Sequence, residues 1–150
     1  MVGKIGLGVV LLAVLIAIQF LPVFRVEANP PVTATLPWDS PTVVLARRAC
    51  FDCHSHETRW PWYSRVAPMS WLVAWDVKEG RSALNFSVQS GMEEAGEAAE
   101  TILNGSMPPR SYTLLHPEAR LSAAEQDRLI EGLRALPSVQ RGGDAEGERE

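Results

Sequence analysis

Cys50-Phe51-Asp52-Cys53-His54 holds both cysteines of a 150-residue chain. C-x-x-C-H is the attachment signature of a c-type haem, and its spacing has a physical reason. On a helix, positions i and i+3 share a side, so the two thiols can each add across one vinyl group of the same porphyrin. His54, four positions past Cys50, shares that side and can send an imidazole nitrogen to the iron. Other chemistries compete for the same residues. A thioredoxin-like dithiol would open a helix after a strand, and the chain has no βαβ pattern. A zinc site needs four ligands, and the other histidines are His56 and His116. A disulfide across two intervening residues would be tighter than most. One covalent haem c is the expectation.

The flanks read as helices. Ser40-Pro41 looks like an N-cap followed by proline at the first helical position, which predicts a helix over 41–54. Residues 59–68 hold two prolines amid aromatics and read as a loop. A second helix follows over 70–79, with Trp71, Leu72 and Trp75 on one face, Asp76, Lys78 and Glu79 turned away, and Gly80 at its end. Met92, Ala95, Ala99, Ile102 and Leu103 recur at helical spacing before Asn104-Gly105 stops a third. Ser122-Ala-Ala-Glu125 is a capping box, opening a fourth with Leu129, Ile130, Leu133 and Leu136 as its stripe. No alternating strand pattern appears. The expected fold is an all-α domain of about four helices over residues 42–136, around the covalent haem.

Met107, on a Pro108-Pro109 loop directly after the third helix, is the candidate sixth ligand of the iron. A thioether opposite histidine raises the reduction potential. Met69 and Met92 are its comparators, Met92 lying on a core stripe; His56, His116 and an open position are the alternatives. Four of the five tryptophans fall between residues 60 and 75. Trp60, Trp62 and Tyr63 are candidate haem-pocket walls, and indole N–H or phenol O–H groups can bond a propionate. Arg59 is a candidate propionate partner, as is Arg65, ahead of Lys78 and Arg81. His116 reads by default as a satisfied structural histidine.

Residues 5–24 carry no charge, and Gln19 is their one strongly polar side chain. Twenty helical residues span about 30 Å, the hydrocarbon thickness of a bilayer. Residues 1–28 are therefore expected to be an N-terminal transmembrane helix or, given Val26-Glu27-Ala28, a cleaved signal. Either reading exports the rest of the chain. Residues 29–41, with four prolines, read as a linker, and residues 137–150 as a disordered tail. The formal net charge is -4, and without residues 1–28 the balance stays acidic. With no basic cluster, nucleic-acid binding is not expected.

Three segments together resemble a family: C-F-D-C-H-S-H-E-T-R-W-P-W-Y-S-R-V-A-P-M-S-W-L-V (50–73), D-V-K-E-G-R-S-A-L-N-F-S (76–87) and M-P-P-R-S-Y-T-L-L-H-P-E-A-R-L-S (107–122). They are similar to the bacterial haem-binding domain proteins, small and usually membrane-anchored modules. The resemblance covers about residues 42–136. It implies a cytochrome-c-like fold, haem on Cys50 and Cys53, His54 as proximal ligand and Met107 as distal ligand. Val88-Gln89 stands where the family often has an acidic-Trp pair, which touches no ligand.

The function expected is a membrane-anchored monohaem cytochrome, not an enzyme. It would sit as a single-pass protein in the bacterial cytoplasmic membrane, with the haem domain on the periplasmic, extracytoplasmic side, and pass electrons to a redox partner protein of unknown identity. The alternative is a haem-based peroxidase or gas sensor with a displaceable sixth ligand. That class needs distal proton-transfer groups, for which His56 and His116 are the only candidates. Haem delivery fits poorly, because thioether attachment does not release its cargo.

Overall fold

A computed structural model describes residues 2–21, 23, 27–92 and 95–136. These residues form seven α-helices, joined by turns and short 3₁₀ segments, with no strand among them. The tail expected over 137–150 lies outside the described residues, as does most of 22–26.

α1 (Val2–Ile18) has 17 residues, about 25 Å at 1.5 Å per residue, where a span needs about 20 residues and 30 Å. Among the described residues no helix is long and apolar enough to cross a membrane. The expected transmembrane helix over 5–24, and with it the single-pass placement in the cytoplasmic membrane, is corrected by this finding. The apolar run is longer than the helix because Gln19 ends it. Its Nε2 donates to Leu15 O (2.9 Å) and Ala67 O (3.1 Å), and its Oε1 accepts from Ala67 N (2.9 Å). The N–H groups of Gln19, Phe20 and Leu21 turn back to carbonyls three residues earlier, and Leu21 precedes Pro22, which disfavours helix at that position.

The number of helices is the second correction. α2 (Ser40–Ala49) is capped by Asp39, whose Oδ1 accepts from Thr42 N at 2.9 Å, one residue before the expected cap. The helix expected over 41–54 is broken at Cys50 (φ -126°, ψ -41°), so His54 belongs to a separate turn, α3 (Phe51–His54). α4 (Met69–Ala83) runs through Gly80 instead of ending there. α5 (Ala95–Leu103) stops at Asn104-Gly105, where Gly105 has φ +73°, a conformation glycine adopts without steric cost. A helix absent from the sequence reading, α6 (Arg110–Leu115), starts directly after Pro109. α7 (Ala123–Arg134) opens with both halves of the Ser122/Glu125 capping box in place.

The core lies where α2, α5 and α7 meet the turn of α3. Ala46, Phe51, Phe86, Met92, Ala99, Ile102, Leu129 and Leu133 are buried together. Phe51 stacks on Phe86 at 5.5 Å, and Trp38 meets Phe86 edge-on at 5.4 Å. Burying each large apolar side chain here contributes about 1.5–3 kcal/mol. Residues 29–38 lie along this core. Thr33 and Ala34 donate to Ser87 O, and Trp38 Nε1 donates to Gly132 O at 2.7 Å. α3 packs on α4 and α5 on α7, and between these pairs an apolar space remains open.

Candidate functional site

That space is a cavity of about 640 Å³, within the range of small-molecule and cofactor sites. Cys50, Cys53, His54, Tyr63 and Met107 all line it. The sequence-predicted Trp60, Trp62 and Arg59 are not among its lining residues. Trp62 is 80% exposed, and Arg59 is taken by another partner.

Each motif residue is positioned by local structure. The cysteines are free and half-buried. Burial pushes the Cys50 thiol up to about 12 and the Cys53 thiol up to about 11. A dithiol redox pair needs a depressed thiol pKa, so neither cysteine is set up as a thiolate nucleophile. His54 Nδ1 lies 3.1 Å from Leu84 O, at the end of α4. A carbonyl can only accept, so Nδ1 carries the proton and the lone pair of the neutral ring sits on Nε2. A backbone carbonyl that orients a histidine in this way is the usual second partner of a metal-bound imidazole. Burial lowers the His54 pKa and favours the neutral ring.

α3 can lie this close to α4 only because of Gly80. A Cβ at this position would sit 2.6 Å from Cys53 O and 3.0 Å from Cys53 Cβ. Around it, α4 turns Met69, Leu72, Val73, Asp76 and Ala83 to the cavity. The buried residues of α4 are Ala74 and Val77, while Leu72 and Trp75 are exposed. The expected division of α4, with Trp71, Leu72 and Trp75 on one face and Asp76, Lys78 and Glu79 turned away from it, is corrected: Leu72 lines the cavity together with Asp76 and Glu79, and neither Trp71 nor Trp75 does.

On the far wall, Met107 is held by the end of α5. Ser106 N and Met107 N both donate to Thr101 O at 3.0 Å. Met69 also lines the cavity, whereas Met92 is buried in the core at 3% exposure. His56 is fully used elsewhere. Its Nδ1 donates to Pro31 O (2.7 Å), and its Nε2 accepts from Asn85 Nδ2 (3.0 Å).

The remaining wall is polar, and the sequence reading missed most of it. Asp52, between the two cysteines, is 8% exposed. It accepts from Tyr112 Oη (2.7 Å) and from Arg59 N, Nε and Nη2 (3.0–3.3 Å). This carboxylate is the partner of Arg59, the residue expected to hold a propionate. Arg81 is likewise spent, on Ser55 O, Asn29 and Thr58. Tyr112 stacks on His116 at 4.3 Å. His116 Nε2 accepts from Tyr63 Oη at 2.8 Å, and Nδ1 faces Glu118 at 3.3 Å. Burial raises the pKa of both tyrosines, keeping their hydroxyls as donors. Of this wall the sequence offered Tyr63 and His116, whereas Asp52 inside C-x-x-C-H and Tyr112 carried no local pattern that marked them.

A family model described as haem-binding domain matches residues 13–135. No curated protein and no solved structure matches the chain. The residues present fit a haem. The cavity is large and mainly apolar, two free thiols and a histidine with an oriented ring open on it, and a thioether stands on its wall. No cluster of three or more His, Cys, Asp or Glu suited to a metal ion occurs among the described residues. None of the cavity-lining residues is lysine or arginine, so the arginines expected to meet propionates are not part of its wall.

Proposed function

We propose that this chain, which belongs to the haem-binding domain family and takes haem as its cofactor, is a one-haem electron-transfer protein with covalent attachment. Cys50 and Cys53 would hold the haem as thioethers, and His54 and Met107 would ligate its iron. The observation that carries this reading is the gathering of both thiols, the oriented His54 ring and Met107 on one apolar cavity. Bound haem supplies a ferric/ferrous couple, tuned upward by histidine–methionine ligation. The chain's own work is to fix the ligands and exclude water. Leu84 O sets the His54 tautomer, Thr101 O pins the Met107 loop, and Leu72, Phe86, Ile102 and Leu129 make the wall apolar. Met107 is preferred to Met69 because it comes from the loop after α5. Met69 shares α4 with the carbonyl that orients His54.

Acid–acetone extraction tests the attachment. The colour stays with the polypeptide in the wild type and is lost to the solvent in Cys50→Ala/Cys53→Ala. Haem leaving the wild type freely refutes covalent binding.

One observation favours a second reading, a peroxidase or gas sensor. The hydrogen-bonded run Tyr63–His116–Glu118 touches the same cavity and is a source of proton-transfer groups. Carbon monoxide separates the two readings. A six-coordinate ferrous carrier binds it slowly, and an open iron binds it at once.

A further inference from the structure

The attachment turn and the Met107 segment are joined by a partly buried hydrogen bond. Tyr112 Oη donates to Asp52 Oδ2 at 2.7 Å, across 60 residues of sequence. Asp52 lies between the two cysteines. Tyr112 lies in α6, whose first turn starts just after Met107-Pro108-Pro109. From this geometry we infer that the Asp52–Tyr112 pair is a positioning clamp, holding the Met107 side of the cavity at a set distance from the Cys50–His54 side. The inference rests on the proposed role of Met107.

Three features make the bond suited to this. First, the carboxylate is immobilised from behind, since Arg59 N and its guanidinium hold Asp52, and Thr58 Oγ1 donates to Asp52 O at 2.8 Å. Second, the tyrosine is immobilised by its ring, stacked on His116, which Tyr63 and Glu118 hold in turn. Third, Pro108 and Pro109 leave little backbone freedom between Met107 and α6, so a displacement of Tyr112 is passed to Met107. α6 has no buried residue of its own, so apolar packing does not fix it. A charge-assisted hydrogen bond is among the stronger polar contacts, and this one supplies what packing leaves out.

The test uses the haem-loaded full chain and reads the weak ferric sulfur-to-iron band and the rate of carbon monoxide binding to the ferrous form. Tyr112→Phe removes one oxygen and keeps the stacked ring. It should keep covalent haem, lose most of the band and bind carbon monoxide about tenfold faster, the scale of one charge-assisted hydrogen bond. Asp52→Ala should do the same from the other end, and it replaces Tyr112→Phe if that variant fails to fold. Asp52→Asn keeps an acceptor for the hydroxyl and should restore most of the band. Arg59→Gln removes the guanidinium that holds the carboxylate from behind and should weaken the band less than either deletion, since the main-chain N–H at position 59 and Tyr112 Oη still hold Asp52. If both deletions keep the wild-type band and rate while Met107→Ala loses them, the clamp is refuted and the ligand assignment stands. If Met107→Ala itself changes neither, the ligand assignment fails and the clamp fails with it.

Discussion

Gly80→Ala adds a single carbon to the interface between α3 and α4. The new Cβ would lie 2.6 Å from Cys53 O and 3.0 Å from both Cys53 C and Cys53 Cβ. Two of these are backbone atoms, so no side-chain rotation relieves the clash. Ordinary non-bonded contact between heavy atoms is about 3.5 Å, so α3 and α4 must part by about 1 Å. Overpacking of this kind costs about 1–3 kcal/mol. Replacing glycine by alanine inside a helix returns up to about 1 kcal/mol, leaving a net loss of about 0–2 kcal/mol, and a gap of about 1–3 kcal/mol to an alanine substitution that meets no clash. For a domain of this size that lowers Tm by about 4–8 °C per kcal/mol. The separation also draws the α4 carbonyls away from His54, loosening the bond from Nδ1 to Leu84 O. Gly96→Ala is the control, because nothing lies within 4 Å of its Cβ, and it should be neutral or slightly stabilising. Thermal unfolding followed by circular dichroism measures both. A Gly80→Ala protein as stable as Gly96→Ala would show that α3 and α4 do not depend on the close approach.

Three further outcomes are expected. Met92→Ala should cost about 2–5 kcal/mol in urea unfolding, as for other deletions of buried large side chains, while Met69→Leu, on the cavity wall, should cost less than about 1.5 kcal/mol. Stability should fall on acidification, because Glu125 is held down at about 2 by the Ser122 N–H and Arg48, and Asp39 and Glu118 are also lowered, by Thr42 and by the Glu118 N–H respectively. A depressed carboxylate stabilises fully above its unfolded value, 4.5 for Glu125, and loses that contribution as pH falls toward the folded value, so Tm should drop between pH 5 and pH 2, and Glu125→Gln should flatten the drop; an unchanged slope counts against the cap. In the haem-free protein at pH 8, iodoacetamide should alkylate Cys50 and Cys53 far more slowly than free cysteine, since their surroundings push both thiols well above the ordinary range, and equal rates would mean that the thiols are not raised.

Sequence by itself determined what depends on neighbours within a turn or two. The all-helical character, the Ser122/Glu125 box, the stripe of Leu129, Ile130 and Leu133 and the stop at Gly105 all rest on i, i+3 and i+4 relations or on a single backbone preference. The presence of C-x-x-C-H was equally plain, because both cysteines lie inside it. What the tertiary structure alone decided involves partners remote in sequence. Gln19 ends the apolar helix by bonding to Ala67, so counting apolar residues overstated α1. Gly80 is a helix-interior contact with Cys53 and not a terminus, and no local pattern distinguishes those roles. Arg59 faces Asp52 instead of the cavity, and Asp52 meets Tyr112 from the opposite wall. Periodicity records which side of a helix is apolar. It carries no record of which buried charge finds which hydroxyl, because that choice is made by the packing of one helix on another.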